Sequence, residues 1–501
     1  MARLRAPDLA FDSVPLVACS TSAPTTGRVF HVDPVRGSPA GDGSRARPWR
    51  DFDHLVAAGL IGESRRSIGR LDRLAAGLLG RAPAARLQAR PGARLRAGDT
   101  LLLASGDYGD VDLSGLVNSG FVTIAAAPGA TPRLASLDLS GASHFVVRGI
   151  AIAAAQALPG RSHLVTLHAP GAPRADNILL EDLAVSSLRA IAATPPDVFE
   201  KEAPSGVILA GDCVTLKDSR LHDVGTAVSV YQARRVLIAG NAIDGIAIDG
   251  IQFSGRDILI RGNVITNQWP VTGPLHPDCM QGAAPGPKAR FGPVEITGNV
   301  CIRGLADTES RREARTDIYG WQGISIFDGH WRGVTVRCNL VLAGAQHGMA
   351  LYGAEGALIE GNVVHGTVKG RASWIAVLPA KDGRQSSGVL IAGNRASAYL
   401  NGVRDAPVPL ETMIDAVGVK REDGFLLAQL RGPVTGLTLG KGNVWRTPEA
   451  PRAPLGRDPR FVWEAGIPSL HPRDAAEALR LHPLPASCAG SPATGGPGAA
   501  G

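Results

Sequence analysis

Two short segments of this 501-residue chain place residue types that transfer protons at one common spacing. "IDGIQFSG" contains Asp249 and Gln252, and "LHPDCMQG" contains Asp278 and Gln281, so both have an Asp-x-x-Gln pattern. If the two carboxylates lay side by side, their mutual repulsion would require compensation. A divalent cation such as Ca²⁺ could bridge them, one could hold a proton as in glycosidases, or each could bind backbone amides at a turn. These three alternatives stay open at this point.

Further candidate site residues surround these two segments. His276 precedes Pro277, which holds its backbone extended, and an unperturbed histidine pKa suits a base near neutral pH. The two glutamines could bind sugar hydroxyls or form an amide ladder. Long insertions nearby add cations that could hold a carboxylate and aromatic rings that could contact sugar C–H groups. The other candidates in these loops and in the following segments are Trp269, Lys288, Arg290, Tyr319, Trp321, Gln322 and His347.

A repeated hexamer indicates how distant segments are brought together. Apolar and variable residues alternate in each copy, and each copy ends in asparagine. The copies are "VLIAGN" (236–241), "ILIRGN" (258–263), "VEITGN" (294–299), "VTVRCN" (334–339), "ALIEGN" (357–362) and "VLIAGN" (389–394). The alternation predicts strands with one buried face, and the asparagine predicts a turn with left-handed backbone and stacked amides. The shortest period, 22 residues between Asn241 and Asn263, is too short for helical-pair repeats and predicts a parallel β-helix.

Alignment of the coils by their asparagines predicts which side chains share a column. Equivalent positions of successive coils stack about 4.8 Å apart. The predicted core column is Val228, Ile251, Met280, Ile324, Met349 and Ile375. The neighbouring column, predicted to face outward, is Ser229, Gln252, Gln281, Ser325, Ala350 and Ala376. The same alignment stacks Asp249 on Asp278 in adjacent coils, followed by Gln322 and His347.

The N-terminal segments resemble a known family. "FHVDPVRGSPAGDGSRARPWRDFDHLV" (30–56), followed by "RAGDTLLLASGDYGDV" (96–111), is similar to the opening of bacterial right-handed parallel β-helix proteins of the pectate-lyase-like superfamily. With the asparagine coils, the resemblance covers residues 30–400 and implies an all-β chain with a single right-handed parallel β-helix. The superfamily includes lyases, hydrolases, epimerases, esterases and non-catalytic surface proteins, so this resemblance implies a fold and not one activity.

The sequence predicts three regions. They are a flexible N-terminus or weak export signal (1–28), the β-helix (29–445) and a proline- and glycine-rich tail (446–501). Within the β-helix, residues 62–95 are an arginine-rich insertion in which "SIGRLDRLAAGLLGR" has helical apolar spacing. We expect an amphipathic helix here that caps the N-terminal end of the solenoid. The tail has one short helical stretch, "RDAAEALRL".

The composition of the chain indicates which classes of partner it could bind. The net charge of +7 is due largely to arginine and favours anionic partners. Nucleic acid is not expected, because zinc-finger spacing, RNP-type strands and basic aromatic helices are absent from the sequence. No apolar run approaches the length of a membrane span. "LVAC", ending at Cys19, resembles a lipoprotein cleavage box, although Asp8 and Asp12 interrupt the segment before it. We expect a secreted, periplasmic or cell-surface protein; the six scattered cysteines do not fix the redox compartment.

The leading functional hypothesis is a carbohydrate-active protein that binds an anionic polysaccharide and cleaves it by β-elimination. The uronate carboxylate would be neutralised by the aspartate pair through a cation, or by Arg290. His276 or Lys288 would remove the C5 proton, and Tyr319 would assist the leaving oxygen. Two rivals are a glycoside hydrolase that uses the aspartates as acid and base, and a non-catalytic surface or glycan-binding protein. The polymer, its cleavage mode and the oligomeric state are not indicated by the sequence.

Overall fold

The computed structural model describes the β-helix and a C-terminal segment. The described residues are 19, 27–69, 72, 85–154, 162–168, 172–188, 194–268, 277–283, 289–305, 321–367, 373–378, 380, 382, 384, 386–396, 398–403, 406–409, 420–422, 425–427, 437–439, 444–446 and 472–489. Within them the chain forms stacked coils, and the strands of successive coils pair in parallel. Face A holds the strands that end at the repeated asparagines, face B the strands that follow them, and face C the strands of the two Asp-x-x-Gln segments.

Face A contains Val29–Val32, Thr100–Leu103, Leu116–Ala126, Ser143–Arg148, Ala175–Glu181, Gly211–Lys217, Val228–Ala239, Ile251–Arg261, Arg290–Phe291, Val294–Thr297, His330–Arg337, Glu355–Glu360, Ser387–Ala392 and Leu437–Leu439. Face B contains Gly106–Asp107, Pro132–Leu134, Ala151–Ala154, Ala184–Ser187, Arg220–Val224, Ala242–Ile246, Val264–Gln268, Val300–Ile302, Leu340–Ala343, Val363–Gly366, Arg395–Ala396 and Val444–Arg446. Face C contains Asp110–Asp112, Ser136–Asp138, His163–Thr166, Ser205–Leu209, Asp278–Gly282, Gln322–Ile326, His347–Tyr352, Trp374–Leu378 and Ala398–Val403. The strands Val228–Ala239 and Ile251–Arg261 begin on face C and continue around the corner onto face A.

The core lies inside the coils and follows the predicted columns. The six residues of the predicted core column are all fully buried. In the neighbouring column, Ser229, Gln252 and Gln281 are partly exposed, as predicted. Ser325, Ala350 and Ala376 in that column are instead buried. The outer side of face C is therefore accessible at its middle coils and covered further along the stack.

The six repeated asparagines form a continuous amide ladder between faces A and B. The side-chain oxygen of each asparagine accepts the backbone and side-chain N–H of the asparagine one coil earlier, at 2.9 to 3.0 Å. Ser219 extends the ladder by donating its backbone N–H to Asn241. The predicted amide stacking is thus confirmed, but the predicted left-handed backbone belongs to the preceding residue, for example Gly240 with φ +66°. Cys338 has this conformation where the other repeats have glycine.

The N-terminal end differs from the expected helical cap. The short helix α1 (Phe52–Ala57) begins at Asp51, whose side chain accepts the His54 N–H, and it buries Phe52. Ser64–Ser67 and Arg86–Ala89 form an antiparallel hairpin, so the predicted insertion is not helical at either flank. Of the predicted amphipathic helix, which spans residues 67–81, residues 70–71 and 73–81 lie outside the described residues. A second short helix, α2 (Pro196–Glu202), precedes the face C strand of the following coil.

A C-terminal segment packs on the outer side of face B. Helix α3 (Ala475–Leu481) confirms the predicted helical stretch and buries Ala478 against Val300, Leu340 and Val363. A 3₁₀ turn at Ala486–Cys488 follows it. The predicted tail 446–501 is therefore partly integrated into the fold. The other C-terminal strands are Ala406–Pro409, Lys420–Glu422 and Phe425–Leu427, which pair antiparallel.

Three disulfide bonds connect all six cysteines. Cys19 is bonded to Cys213, on face A. Cys338 is bonded to Cys488 and thereby ties the C-terminal segment to the asparagine turn. A Cβ at Gly361 would lie 2.7 Å from the Cys488 sulfur, so this turn needs glycine both for space and for its φ of +65°. None of the described helices has the length and apolar character that a membrane crossing requires.

Candidate active site

Face C brings Asp249 and Asp278 to equivalent positions of adjacent coils. Gln252 pairs in register with Gln281, three residues beyond the aspartates. The backbone N–H of Asp278 donates to Asp249 Oδ1 at 2.9 Å. Gly250 allows the two coils to approach, because a Cβ there would lie 2.5 Å from the carbonyl oxygen of the following coil. The predicted stacking of the two Asp-x-x-Gln segments is confirmed.

The two glutamines connect the two carboxyl groups. Gln252 Nε2 donates to Asp249 Oδ2 at 3.3 Å and to Gln281 Oε1 at 3.1 Å. Gln281 Nε2 donates to Asp278 Oδ2 at 3.2 Å. Asp278 Oδ1 is buried and has no hydrogen-bond partner within the described part of the chain. The side-chain network is thus complete around Asp249 and incomplete at one oxygen of Asp278.

Burial raises the pKa of both carboxyl groups. Asp249 is 3% exposed and Asp278 is 0% exposed. Loss of hydration raises the pKa of Asp249 to about 7, although the Asp278 backbone N–H acts in the opposite direction. Burial and then the Asp249 charge raise the pKa of Asp278 well above its usual range, against a smaller opposing effect of the Ser325 hydroxyl. Near neutral pH the pair therefore holds at least one proton.

The coil after Asp278 places further buried polar side chains next to the aspartate pair on face C. Asp278 pairs with Gln322, and Gln281 pairs with Ser325. The Ser325 hydroxyl donates to Gln322 Oε1 at 3.4 Å, which is a long hydrogen bond. Gln322 is only 7% exposed. The structure therefore places Gln322 beside the pair but beneath the surface, where it supports neighbouring groups.

His347, a predicted substrate contact, lies in an aromatic cluster further along face C. Trp374 Nε1 donates to His347 Nδ1 at 3.1 Å. Because an indole N–H can only donate, this bond requires an unprotonated Nδ1. Phe327 contacts the same imidazole edge-to-face, with ring centroids 5.2 Å apart. The contacts therefore fix the ring orientation of His347 at a distance of two coils from Asp278.

Other predicted site residues are separated from the pair. Trp321 is fully buried in the main core, so the expectation that its ring contacts a substrate is wrong. Arg290 is exposed but pairs with His330 on face A, and the structure does not group it with the aspartates. His276, Lys288, Tyr319 and Trp269 lie outside the described residues.

The surroundings of the pair fit a cation poorly. Both oxygens of Asp249 accept N–H donors, whereas Ca²⁺ requires six to eight oxygen ligands. No group of three or more His, Cys, Asp or Glu side chains suitable for a metal ion occurs within the described ranges. The Ca²⁺ site stays a prediction.

Two features near the pair were missed by sequence reasoning. The Cys279–Cys301 disulfide joins the strand of Asp278 to face B of the next coil. An even number of cysteines was the available signal, but spacing alone does not give their pairing. His163 lies on face C three coils before Asp249 and contacts Ser229. It was missed because the asparagine repeat is degenerate before residue 236 and gives no register there.

The fold class follows from these faces and from one family match. Residues 205–401 match the family described as "Right handed beta helix region". Together with the three faces of parallel strands, this match confirms a right-handed parallel β-helix, the fold of the pectate-lyase-like superfamily. No curated protein sequence matches the chain.

Solved structures with a similar fold are distant in sequence. A GH136 lacto-N-biosidase from Eubacterium ramulus is 12% identical, with 74% of this chain and 67% of that chain covered and a TM-score of 0.37. A rhamnogalacturonan lyase is 10% identical, with 74% and 82% covered and a TM-score of 0.36. The A-module of a mannuronan C-5 epimerase from Azotobacter vinelandii is 16% identical, with 70% and 91% covered and a TM-score of 0.35. Likeness at this level concerns the fold alone.

Proposed function

We propose that the chain is a carbohydrate-active enzyme that hydrolyses a glycosidic bond of a polysaccharide bound along face C. The observation that carries the proposal is the pair of carboxyl groups on adjacent coils, Asp249 and Asp278, with raised pKa values. Two carboxyl groups that share a site favour one protonated and one ionised member, which is the division that glycosidases use. The hydrogen bonds described above support a specific assignment of the two roles.

Asp278 is the proposed general acid and Asp249 the proposed nucleophile, because carboxyl groups one coil spacing of about 4.8 Å apart match the arrangement of retaining glycosidases. The Asp278 backbone N–H stabilises the ionised form of Asp249. Within the described ranges no donor contacts the buried Oδ1 of Asp278, which favours its protonated form. In the reaction, Asp278 gives its proton to the leaving glycosidic oxygen while the Asp249 carboxylate bonds to the anomeric carbon and the bond from that carbon to the leaving oxygen breaks. A water molecule then gives a proton back to Asp278 and bonds to the same carbon, which breaks the bond to Asp249 and releases the sugar.

The surface above the pair suits a polyhydroxylated ligand. Gln252 and Gln281 are the partly exposed groups at this position, and they cover the carboxyl groups beneath them. A sugar hydroxyl can replace an amide as hydrogen-bond partner, because it both donates and accepts. The substrate would therefore gain access to Asp278 by displacing the Gln281 amide from Oδ2.

β-Elimination on a uronate polymer is the second candidate. It is favoured by the net charge of +7, which attracts anionic polymers. Elimination also needs positive charge beside the uronate carboxylate, and the described causes of both pKa shifts include no cation. Its proposed base and leaving-group assistants, His276, Lys288 and Tyr319, lie outside the described residues. Hydrolysis therefore agrees better with the site geometry.

An oxidising compartment is part of the same proposal. Three disulfides between distant segments persist where thiols are not kept reduced, as in secreted, periplasmic or cell-surface proteins. Polysaccharides that an enzyme could bind along a groove are abundant in such compartments. Export would be tested by fractionating the producing cells.

Asp278→Asn and Asp249→Asn test the proposed cleavage. Wild-type protein is incubated with neutral and uronate polysaccharides, while new reducing ends and the ultraviolet absorbance of unsaturated ends are followed. We expect reducing ends without absorbance, and each variant should lose about 10²- to 10⁴-fold in rate. Asp53→Asn, at an exposed position of α1, is the matched control and should keep full activity. Absorbance growth would instead support elimination, and full activity in both variants would exclude this pair.

A further inference from the structure

A second polar cluster lies on face C toward the N-terminal end, beyond the aspartate pair. We call it the His163 cluster; its members are Ser162, His163, His168, Ser229 and Tyr231. His163 Nε2 is 3.1 Å from Ser229 Oγ, and His163 Nδ1 is 2.8 Å from Ser162 Oγ. Both imidazole nitrogens are thus held by hydroxyl groups. No acidic side chain is among the hydrogen-bond partners of this imidazole, unlike in a nucleophilic triad.

The two imidazoles of the cluster are neutral near pH 7. Burial, and then the charge of His168, lower the pKa of His163 to about 4. Burial and the Arg174 charge also lower the pKa of His168. The Arg174 guanidinium itself donates to the backbone carbonyl of Gln232, at 3.0 Å. The cluster therefore offers polar contacts without a fixed charge of its own.

A neutral imidazole makes Ser229 an adaptable hydrogen-bonding group. If His163 carries its proton on Nε2, it donates to Ser229, whose own hydroxyl proton remains for a ligand. If the proton is on Nδ1, Ser229 donates to Nε2 and its oxygen accepts from a ligand. In both tautomers Ser162 takes the complementary role at Nδ1. This behaviour matches a sugar hydroxyl, which can donate or accept.

An aromatic surface lies beside these hydroxyl groups. Tyr231 is 42% exposed, and its ring contacts His168 with centroids 4.7 Å apart. An exposed ring supported from one side presents its other face to solvent, and such a face suits the C–H groups of a sugar ring. Two residues before Tyr231, Ser229 pairs in register with Gln252 on the next coil. The cluster is therefore continuous with the groups that cover the aspartate pair.

We propose that the His163 cluster is a subsite that binds a neutral sugar unit of the polysaccharide, about one coil spacing of 4.8 Å from Gln252. Ser229 and Ser162 contact the hydroxyls of this unit, and Tyr231 contacts its C–H face. The assignment rests on the proposed glycan function of face C and adds the preferred substrate class at this position. The hydroxyl, imidazole and phenol groups of the cluster suit a neutral sugar, and the neighbouring Arg174 guanidinium is already bonded to the Gln232 carbonyl.

The test compares binding of uncharged and charged hexasaccharides by titration calorimetry. The neutral probes are gluco-, manno- and xylo-hexasaccharides, and the anionic probe is hexagalacturonate. We expect at least one neutral probe to bind, with Ser229→Ala and Tyr231→Ala each weakening it about 3- to 10-fold. His163→Gln should act in the same direction. Ser186→Ala, a partly exposed serine on face B, is the matched control and should bind as wild type.

The outcomes separate this subsite from the proposed cleavage. Equal binding by wild type, Ser229→Ala and Tyr231→Ala would overturn the subsite, as would binding of hexagalacturonate alone or of no probe. Weaker binding in these variants, without any hydrolysis by wild type, would support the subsite and contradict the proposed function. If Asp278→Asn lost hydrolysis while Ser229→Ala bound as wild type, the result would support the proposed function and contradict the subsite. Matched circular dichroism spectra are required of every variant.

Discussion

Two rows of stacked polar side chains run along the same β-helix, and they differ in how their hydrogen bonds are completed. The asparagine row lies between faces A and B, repeats one neutral residue type and pairs each amide with the next. The face C row changes from Asp249 and Asp278 to Gln322 and His347, and among the described residues it leaves Asp278 Oδ1 without a partner. Both rows are largely buried at these coils, so burial alone does not explain the difference.

The comparison separates a row that stabilises from a row that carries reactivity. Burial of a neutral ladder costs little free energy when every donor and acceptor is paired, because the hydrogen bonds within the ladder replace those made with water. Two buried carboxyl groups in contact cost stability, since they repel each other and lose hydration. Carboxyl groups with perturbed pKa values occur most often at functional sites, where catalysis requires them. The destabilising aspartate pair therefore agrees with a catalytic role. Three predictions test the contrast.

The largest effect is expected from Asn299→Ala in the ladder. Asn299 Nδ2 donates to Ile260, Thr297 and Asn339, and its Oδ1 accepts from Asn263. Removing this amide leaves several buried groups unpaired, so the free energy of unfolding should fall by about 3 to 5 kcal/mol. Urea unfolding measures it.

A matched control for the ladder is Asn118→Ala. Asn118 is also buried, but its side chain makes one hydrogen bond, to the His144 carbonyl at 3.3 Å. We expect a loss of about 1 kcal/mol there. If the two alanine variants were equally stable, the ladder would have no special role in the fold.

The aspartate pair should respond in the opposite direction. Because the folded-state pKa values of Asp249 and Asp278 are raised above about 4, the folded chain keeps a proton that the unfolded chain releases. The free energy of unfolding should therefore decrease as the pH rises from about 4 to 7, by up to about 1.4 kcal/mol per pH unit for each of the two carboxyl groups. Asp278→Asn should reduce this slope and stabilise the chain at pH 7 by about 1 to 3 kcal/mol. Urea midpoints across this pH range measure both; an unchanged slope in the variant would contradict the raised pKa values.

The smallest effect on stability is expected from Gln281→Ala. The change removes the amide that covers Asp278 and costs about 1 kcal/mol of unfolding free energy. Water that enters should lower the pKa of Asp278, because hydration stabilises the ionised carboxylate. In a profile of the hydrolysis rate against pH, the decrease caused by ionisation of Asp278 should then occur at lower pH. Gln88→Ala, at an exposed hairpin position, is the control and should leave the profile in place.

Much of the fold could be predicted from the sequence because neighbouring coils repeat. Alternation in the hexamers gave the strands, and the asparagines gave the register that stacks Asp249 on Asp278. The same reasoning placed Ile251 and Met280 in the core. It failed where the repeat gives no register, which is why His163 was missed. It also failed at Trp321, because an aromatic residue beside a loop has the same sequence signal whether it faces the core or a groove.

The sequence by itself determined that the chain forms coils and in which order they stack. The period-two pattern specifies each strand and its buried face, and the asparagine that follows specifies the turn and the register with the next coil. Only the tertiary structure decided which of the stacked polar residues are unsatisfied. Hydrogen-bond completion at Asp278 depends on side chains from adjacent coils, such as Gln281 and Ser325, and on the orientation of their amides and hydroxyls. The disulfide partners were decided in the same way, since Cys338 and Cys488 meet only when the C-terminal segment packs on face B.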